Sequence, residues 1–135
     1  MLANRLSPYA PHVLGILRIV TALLFIEHGT QKLFAFPAPA QAMPPMQGGM
    51  ATMMLIAGIL ETFGGLAILV GFFTRPVAFV LSGMMAVAYW IAHYPMGFFP
   101  VNNYGDAAIL FCFVFLYLVF AGPGAFSVDA ARARA

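Results

Sequence analysis

The sequence predicts an all-α protein, a bundle of four transmembrane helices with both termini on the cytoplasmic side. Three observations predict it. Of 135 residues, 63% are hydrophobic and only 7% charged, which is ten charges in all. An ordinary soluble domain carries about 25% charged residues, far more than this chain offers a water-facing surface. The mean hydropathy is +0.95, and the apolar residues gather into four stretches separated by Pro and Gly clusters. Finally, Lys and Arg outside those stretches fall on one side of an even-numbered bundle.

The spans read 11–36, 50–73, 76–94 and 105–121, followed by a short cytoplasmic tail at 122–135, all within one membrane domain covering residues 1–135. Each approaches the roughly 20 helical residues that cross a hydrocarbon core of about 30 Å. None shows the dyad alternation of a barrel strand. Pro37-Ala38-Pro39 through Pro44-Pro45 to Gly48-Gly49 breaks the first pair of helices. Thr74-Arg75-Pro76 makes a tight turn with Pro opening the third, and residues 95–103 form the last loop. Ala40-Gln41-Ala42 resembles a signal-peptidase site, but the preceding stretch is too long for a leader core and Arg18, Glu27, His28 and Lys32 interrupt it. It is therefore read as a retained helix. Arg5, Arg75, Arg132 and Arg134 lie on one side and neither outer loop contains Lys or Arg, giving N-in and C-in.

Composition also excludes several function classes. The pI near 9.0 arises from a net charge of only +2, with no basic run, so nucleic-acid binding is excluded. The single cysteine, Cys112, permits neither an intrachain disulfide nor dithiol exchange, and reads as a small core hydrophobe. No Gly-rich dinucleotide fingerprint is present.

Five charges lie within or at the ends of the spans: Arg18, Glu27, Lys32, Glu61 and Asp106. Each costs about 2.5–3.5 kcal/mol at mid-bilayer on insertion scales, so each is a functional candidate. At about 100° per residue, Arg18, Ala22, Phe25, Gly29 and Lys32 share one face of the first helix, with Glu27 opposite. Glu61 sits near mid-depth among Ala57, Gly58, Gly64 and Gly65, where another helix can approach closely. Arg18 is expected to pair with it as a structural ion pair. Ser82, Ala86, Tyr89 and His93 form a stripe on the third helix, whereas Tyr89, Trp90 and Tyr94 read as interfacial aromatics. Glu27, His28, Gln31, Lys32, His93, Asn102, Asn103 and Asp106 all fall in the outer half, with Glu61 just beneath. They are expected to converge on a polar pocket open to the periplasmic face. Against this stands the plainer reading that they fix helix register and glue the helices together.

At these residues the chain resembles the DoxX family of small four-helix membrane proteins, over about Leu14 to Asp129. The resemblance rests on Arg18, Glu27-His28-Gly29-Thr30-Gln31-Lys32-Leu33, Gly58-Ile59-Leu60-Glu61-Thr62-Phe63-Gly64-Gly65 and Gly71-Phe72-Phe73-Thr74-Arg75-Pro76. It continues through His93, Asn102-Asn103-Tyr104-Gly105-Asp106 and Gly122-Pro123-Gly124-Ala125-Phe126-Ser127-Val128-Asp129. The family often opens its last helix with Gly-Gly-Glu, where this chain reads Tyr104-Gly105-Asp106. The resemblance implies a bacterial plasma-membrane protein, associated in the family's namesakes with a thiosulfate:quinone oxidoreductase.

Three function classes follow. In the first, the chain is a redox-associated membrane subunit whose outer pocket holds a quinone, with His28, His93, Asp106 and Glu61 as proton donors and Lys32 polarising a carbonyl. In the second, it is a non-catalytic accessory subunit or homo-oligomer whose polar first helix engages a protein partner. In the third, it binds a small solute or a soft metal through Met43, Met46, Met50, Met53, Met54 and Met96 near His28 and His93. Neither a His-x-x-His nor a Glu-x-x-His pair occurs, so no metal site is assigned, and no residue is assigned a catalytic role.

Overall fold

The computed structural model describes residues 5–40 and 46–134, so Met43, Pro44, Pro45 and most of Ala40-Gln41-Ala42 lie outside the described residues. The described residues are helical with no strand. Three helices are long and apolar enough to cross a membrane: α1 (Ser7–Phe34), α2 (Gly48–Val70) and α3 (Thr74–Met96). The fourth, α4 (Asp106–Ala121), has 16 residues, about 24 Å at 1.5 Å per residue. A one-turn helix, Pro100–Asn103, precedes it, and a short α5 (Val128–Arg132) ends the described chain.

The ends of α1, α2 and α3 differ from expectation by two to four residues, three of them for clear local reasons, whereas α4 starts one residue later and ends at Ala121 as expected. Ala35 turns left-handed at φ 54°, and its N–H and that of Phe36 donate back to Gln31 and Thr30, so α1 stops before the predicted Phe36. Gly71, at φ +67°, ends α2 in the same way, with Phe72 N–H reaching the Ala67 carbonyl at 2.9 Å. α3 opens at Thr74 rather than Pro76 because Asp129 supplies its cap from outside the helix.

Packing follows two antiparallel pairs, α1 with α2 and α3 with α4. Between them lies one core of Ala22, Phe25, Ile68, Ala78, Leu81, Met85, Phe115 and Leu118. Phe25 packs edge-on against Phe115 at 4.8 Å and against Phe111 at 5.0 Å. The close approach of α1 and α2 requires Gly29, where an added Cβ would stand 2.4 Å from Thr62 Oγ1 and 2.9 Å from Glu61 Cβ. Gly58 and Gly65 meet Leu33 and Ile26 of α1 across the same contact. The large apolar side chains on the outside, among them Leu23, Phe63, Phe79, Leu110 and Phe120, suit acyl chains rather than water.

The chain after α4 does not trail away. Gly122 to Ser127 folds back as a hook whose Ala125 N–H donates to the Pro11 carbonyl at 2.8 Å, while Asp129 N–H donates to Gly71 at 2.9 Å.

Candidate functional site

Arg18 is fully buried, and all of its guanidinium donors are used. Nε donates to the Pro123 carbonyl at 2.8 Å. Nη1 donates to Ile68, at 2.6 Å, and to Leu69. Nη2 donates to Ala125 and Phe126 at 3.2 and 2.7 Å. Ile68 and Leu69 belong to the last turn of α2, which carries the negative end of the helix dipole, and the Ile68 carbonyl accepts from Gly71 N–H at 3.0 Å as well. Arg18 therefore ties the end of α2 to the C-terminal hook. This corrects the expected Arg18–Glu61 pair. Ile68 lies seven residues beyond Glu61, about 10 Å along the helix, and at that level carbonyls rather than a carboxylate surround the guanidinium.

Glu61 pairs instead with Lys32, with Nζ 2.5 Å from Oε2 and side chains 19% and 5% exposed respectively. Lys32 Nζ also donates to the His28 carbonyl at 3.4 Å. The ion pair borders a cavity of about 340 Å³ enclosed by all four long helices. From α1 come Phe25, His28 and Lys32, and from α2 come Met50, Met53, Met54, Ala57 and Glu61. Met85, Ala88, Ile91, Ala92 and His93 of α3 line the facing side. Tyr104 and the α4 residues Ala107, Ala108 and Phe111 close it. The walls are mostly thioether, methyl and aromatic, with polar groups at few points, as in a typical small-molecule site.

Two backbone features aim those polar groups. Glu61 lies in a π-helical turn, Leu60–Gly64, and His93 in another, Tyr89–His93. Such turns insert an extra residue into a helix and re-aim its side chains, and they concentrate at functional sites. The two imidazoles are also held in the same way. His28 Nδ1 bonds the Leu24 carbonyl at 2.8 Å and His93 Nδ1 bonds the Asn103 carbonyl at 3.0 Å. A carbonyl only accepts, so each Nδ1 carries the proton and donates. In the neutral rings both Nε2 atoms are then left as acceptors.

Of the nine residues expected to converge, His28, Lys32, Glu61 and His93 line the cavity. The other five do not. Glu27 is exposed on the outside of α1, Gln31 Nε2 donates to the Pro37 carbonyl at 3.2 Å, and Asn102 and Asp106 are exposed. Asn103 is buried behind the cavity, donating to Gly97 at 2.7 Å and accepting from Gly105 N–H at 2.8 Å. Its side chain thus fixes the loop whose carbonyl holds His93. The sequence reading omitted Phe25, Met85, Tyr104 and Phe111 from the site. Met50, Met53 and Met54 had a signal, the i, i+3, i+4 spacing of one helix face. Among the described residues no group of three or more His, Cys, Asp or Glu side chains is placed to hold a metal ion. Cys112 is half-buried against the core, its carbonyl accepting from Ser82 Oγ at 2.9 Å.

Arg75, in the first turn of α3, and Asp129, beyond the long helices, complete the framework. Arg75 Nη1 donates to Val119 and Phe120 at 2.6 and 2.7 Å, closing the end of α4. Burial pushes the Asp129 carboxyl up. Hydrogen bonds from Thr74 and Phe73 and the nearby Arg132 charge outweigh it, so the group sits below the ordinary aspartate range.

Comparison with known proteins places this architecture. The DoxX family model matches residues 13–94, covering α1 to α3 and most of the cavity wall. An uncharacterized protein of Haemophilus influenzae is 42% identical over 133 residues, spanning 93% of this chain and 95% of its own. Two Escherichia coli relatives, inner membrane protein YqjF and inner membrane protein YphA, are 31% and 32% identical. They cover 84% and 88% of this chain and 87% and 89% of their own. No solved structure matches the chain. With apolar helices of this length and relatives of the inner membrane, this is a multi-pass plasma-membrane protein. The chain belongs to the DoxX family.

Proposed function

We propose that the chain is a redox-associated subunit of the plasma membrane, folded as a single membrane domain with N-in and C-in topology, whose cavity binds a quinone headgroup. The observation that carries this reading is the pair of imidazoles, each fixed through Nδ1 to a carbonyl, lining one apolar cavity of about 340 Å³. A flat ring packs between Phe111 and the methionines, which adapt readily to its outline. His28 and His93 Nε2 accept hydrogen bonds from quinol hydroxyls and, when protonated, donate to quinone carbonyls. The Lys32–Glu61 pair supplies a further donor at the cavity edge. A quinone bound there takes up two electrons and two protons to become quinol, the electrons coming from a partner oxidoreductase. The basic residues Arg5, Arg75, Arg132 and Arg134 support the topology.

The test is to purify the protein in mild detergent, assay the extracted lipids for quinone, and titrate a short-chain quinone. Binding is expected, with His28→Ala and His93→Ala each about tenfold weaker for one lost hydrogen bond. Purified protein that neither carries nor binds quinone overturns the reading.

Glu27 favours a second reading, an accessory subunit that assembles with a protein partner. It is exposed on α1 seven residues before Phe34, about 10 Å inside the helix end, and its carboxylate has no partner among the described residues. A charge facing lipid is costly, and a donor on a neighbouring helix relieves it. Under this reading Glu27→Leu disrupts assembly, seen by size and mass in detergent, while leaving quinone binding intact.

A further inference from the structure

A second cleft, also about 340 Å³, opens at the opposite end of the bundle from the Lys32–Glu61 pair, between the start of α1 and the C-terminal hook. His12, Phe126, Ser127 and Arg134 line it, and no acidic side chain among the described residues does. Its floor is built, since Ala125 N–H bonds the Pro11 carbonyl at 2.8 Å and the His12 ring meets Phe126 edge-on at 5.7 Å. Neither the Arg134 guanidinium nor the His12 ring has a hydrogen-bond partner among the described residues. Asp129, the nearest acidic side chain in sequence, is bonded to the Phe73 and Thr74 N–H groups. Among the described residues the cleft is thus a concave site with unsatisfied donors and no acidic side chain.

What surrounds it selects among anions. Tyr9, Val13, Ile16 and Val20 recur at helical spacing and are 62%, 64%, 55% and 49% exposed, forming one apolar stripe along α1. His12 lies about 60° from Tyr9 and about 40° from Ile16 around the helix, so the stripe runs beside the cleft. An anionic group in the cleft with an apolar tail along the stripe has the shape of a phospholipid. Basic pockets beside membrane helices at the cytoplasmic surface bind such headgroups.

We propose that this cleft is a binding site for an anionic phospholipid, with Arg134 and His12 donating to its phosphate and its acyl chain lying along the α1 stripe. The site is separate from the quinone cavity and does not depend on it. The test is native mass spectrometry of delipidated protein titrated with phosphatidylglycerol or phosphatidylcholine of the same acyl chains. Phosphatidylglycerol is expected to be retained about fivefold more tightly, the effect of about one surface cation. The double variant His12→Gln/Arg134→Gln is expected to lose that preference. Its unfolding midpoint should lie close to wild type, because neither side chain has a hydrogen-bond partner among the described residues and the variant gives up only the edge contact of His12 with Phe126. Equal retention of the two lipids by wild type overturns the proposal, as does a preference intact in the double variant. Displacement of phosphatidylglycerol by millimolar inorganic phosphate overturns the lipid as occupant in favour of a soluble anion.

Discussion

Asp129 caps the third transmembrane helix from a different segment of the chain: its Oδ2 accepts from Thr74 N–H at 2.8 Å and its Oδ1 from Phe73 N–H at 3.0 Å. A helix start leaves N–H groups without partners, and a side chain immediately before the helix usually answers them. Here Phe73, in the left-handed region at φ 47°, cannot do so, and the C-terminal hook does it instead. Together with Arg18 of α1 bonding the end of α2 and Arg75 of α3 bonding the end of α4, this makes helix ends the points at which the bundle is tied.

Asp129→Ala is expected to cost about 1 kcal/mol at neutral pH, the usual loss for a removed cap. Hydrogen bonds to the ionised form hold the folded carboxyl below its ordinary value near 3.8. The contribution is therefore complete above that value and fades as pH falls through the lower folded one. Thermal unfolding in detergent should show the variant weaker at pH 7 and converging on wild type as pH falls below the ordinary aspartate value. Asp129→Asn, which keeps one neutral acceptor, should lose less at pH 7 and close its smaller gap to wild type over the same fall in pH.

Arg18→Met is expected to cost at least about 3 kcal/mol, because five carbonyls lose charge-assisted donors in a site closed to water. Arg18→Lys should recover under half of that, since a compact ammonium has three donors and cannot span two segments as a guanidinium fork does. Hydrogen exchange gives a specific signature. The Ala125 and Asp129 amides, bonded to Pro11 and Gly71, should lose protection before the helices do.

The general layout was legible because apolar length and breaker residues set where helices run, and helical spacing set which face of α1 turns inward. Gly15, Arg18, Thr21, Ala22, Phe25 and Gly29 are indeed its buried residues. Charge partners were not legible. A sequence exposes the carboxylate that could answer Arg18 but not the backbone carbonyls that do, since every residue carries one and only the fold decides which are orphaned. The π-helical turns at Glu61 and His93 likewise have no residue signature, although they bear on how those two side chains are aimed at the cavity. Glu27 and His28 are neighbours in sequence, and 100° of helix rotation is enough to send one outward and the other to the cavity wall.

Gly29→Ala is expected to destabilise by about 1–3 kcal/mol, the range for overpacking. Its new methyl meets Thr62 Oγ1 and Glu61 Cβ, so α1 and α2 must separate. At Gly83, on the exposed side of α3, an added Cβ would have nothing within 4 Å. Gly83→Ala should be neutral or stabilise by up to about 1 kcal/mol through helix propensity alone. Paired unfolding curves of the two variants separate close packing from a general intolerance of added bulk.

The Lys32–Glu61 pair yields to a double-mutant cycle. Its two side chains are largely withdrawn from solvent, so removing either strands the other as an unpaired charge. Lys32→Met or Glu61→Met alone is expected to cost about 3–5 kcal/mol, whereas the double variant should lie within about 1 kcal/mol of wild type. The coupling energy then comes out large while the net stabilisation is small. That outcome, read by unfolding in detergent, would mean that stability alone does not require the charges. The double variant also isolates their role at the cavity edge. Folded, and with His28 and His93 in place, it should bind a short-chain quinone more weakly if Lys32 donates to the ligand. Unchanged binding would confine the pair to setting the α1–α2 register.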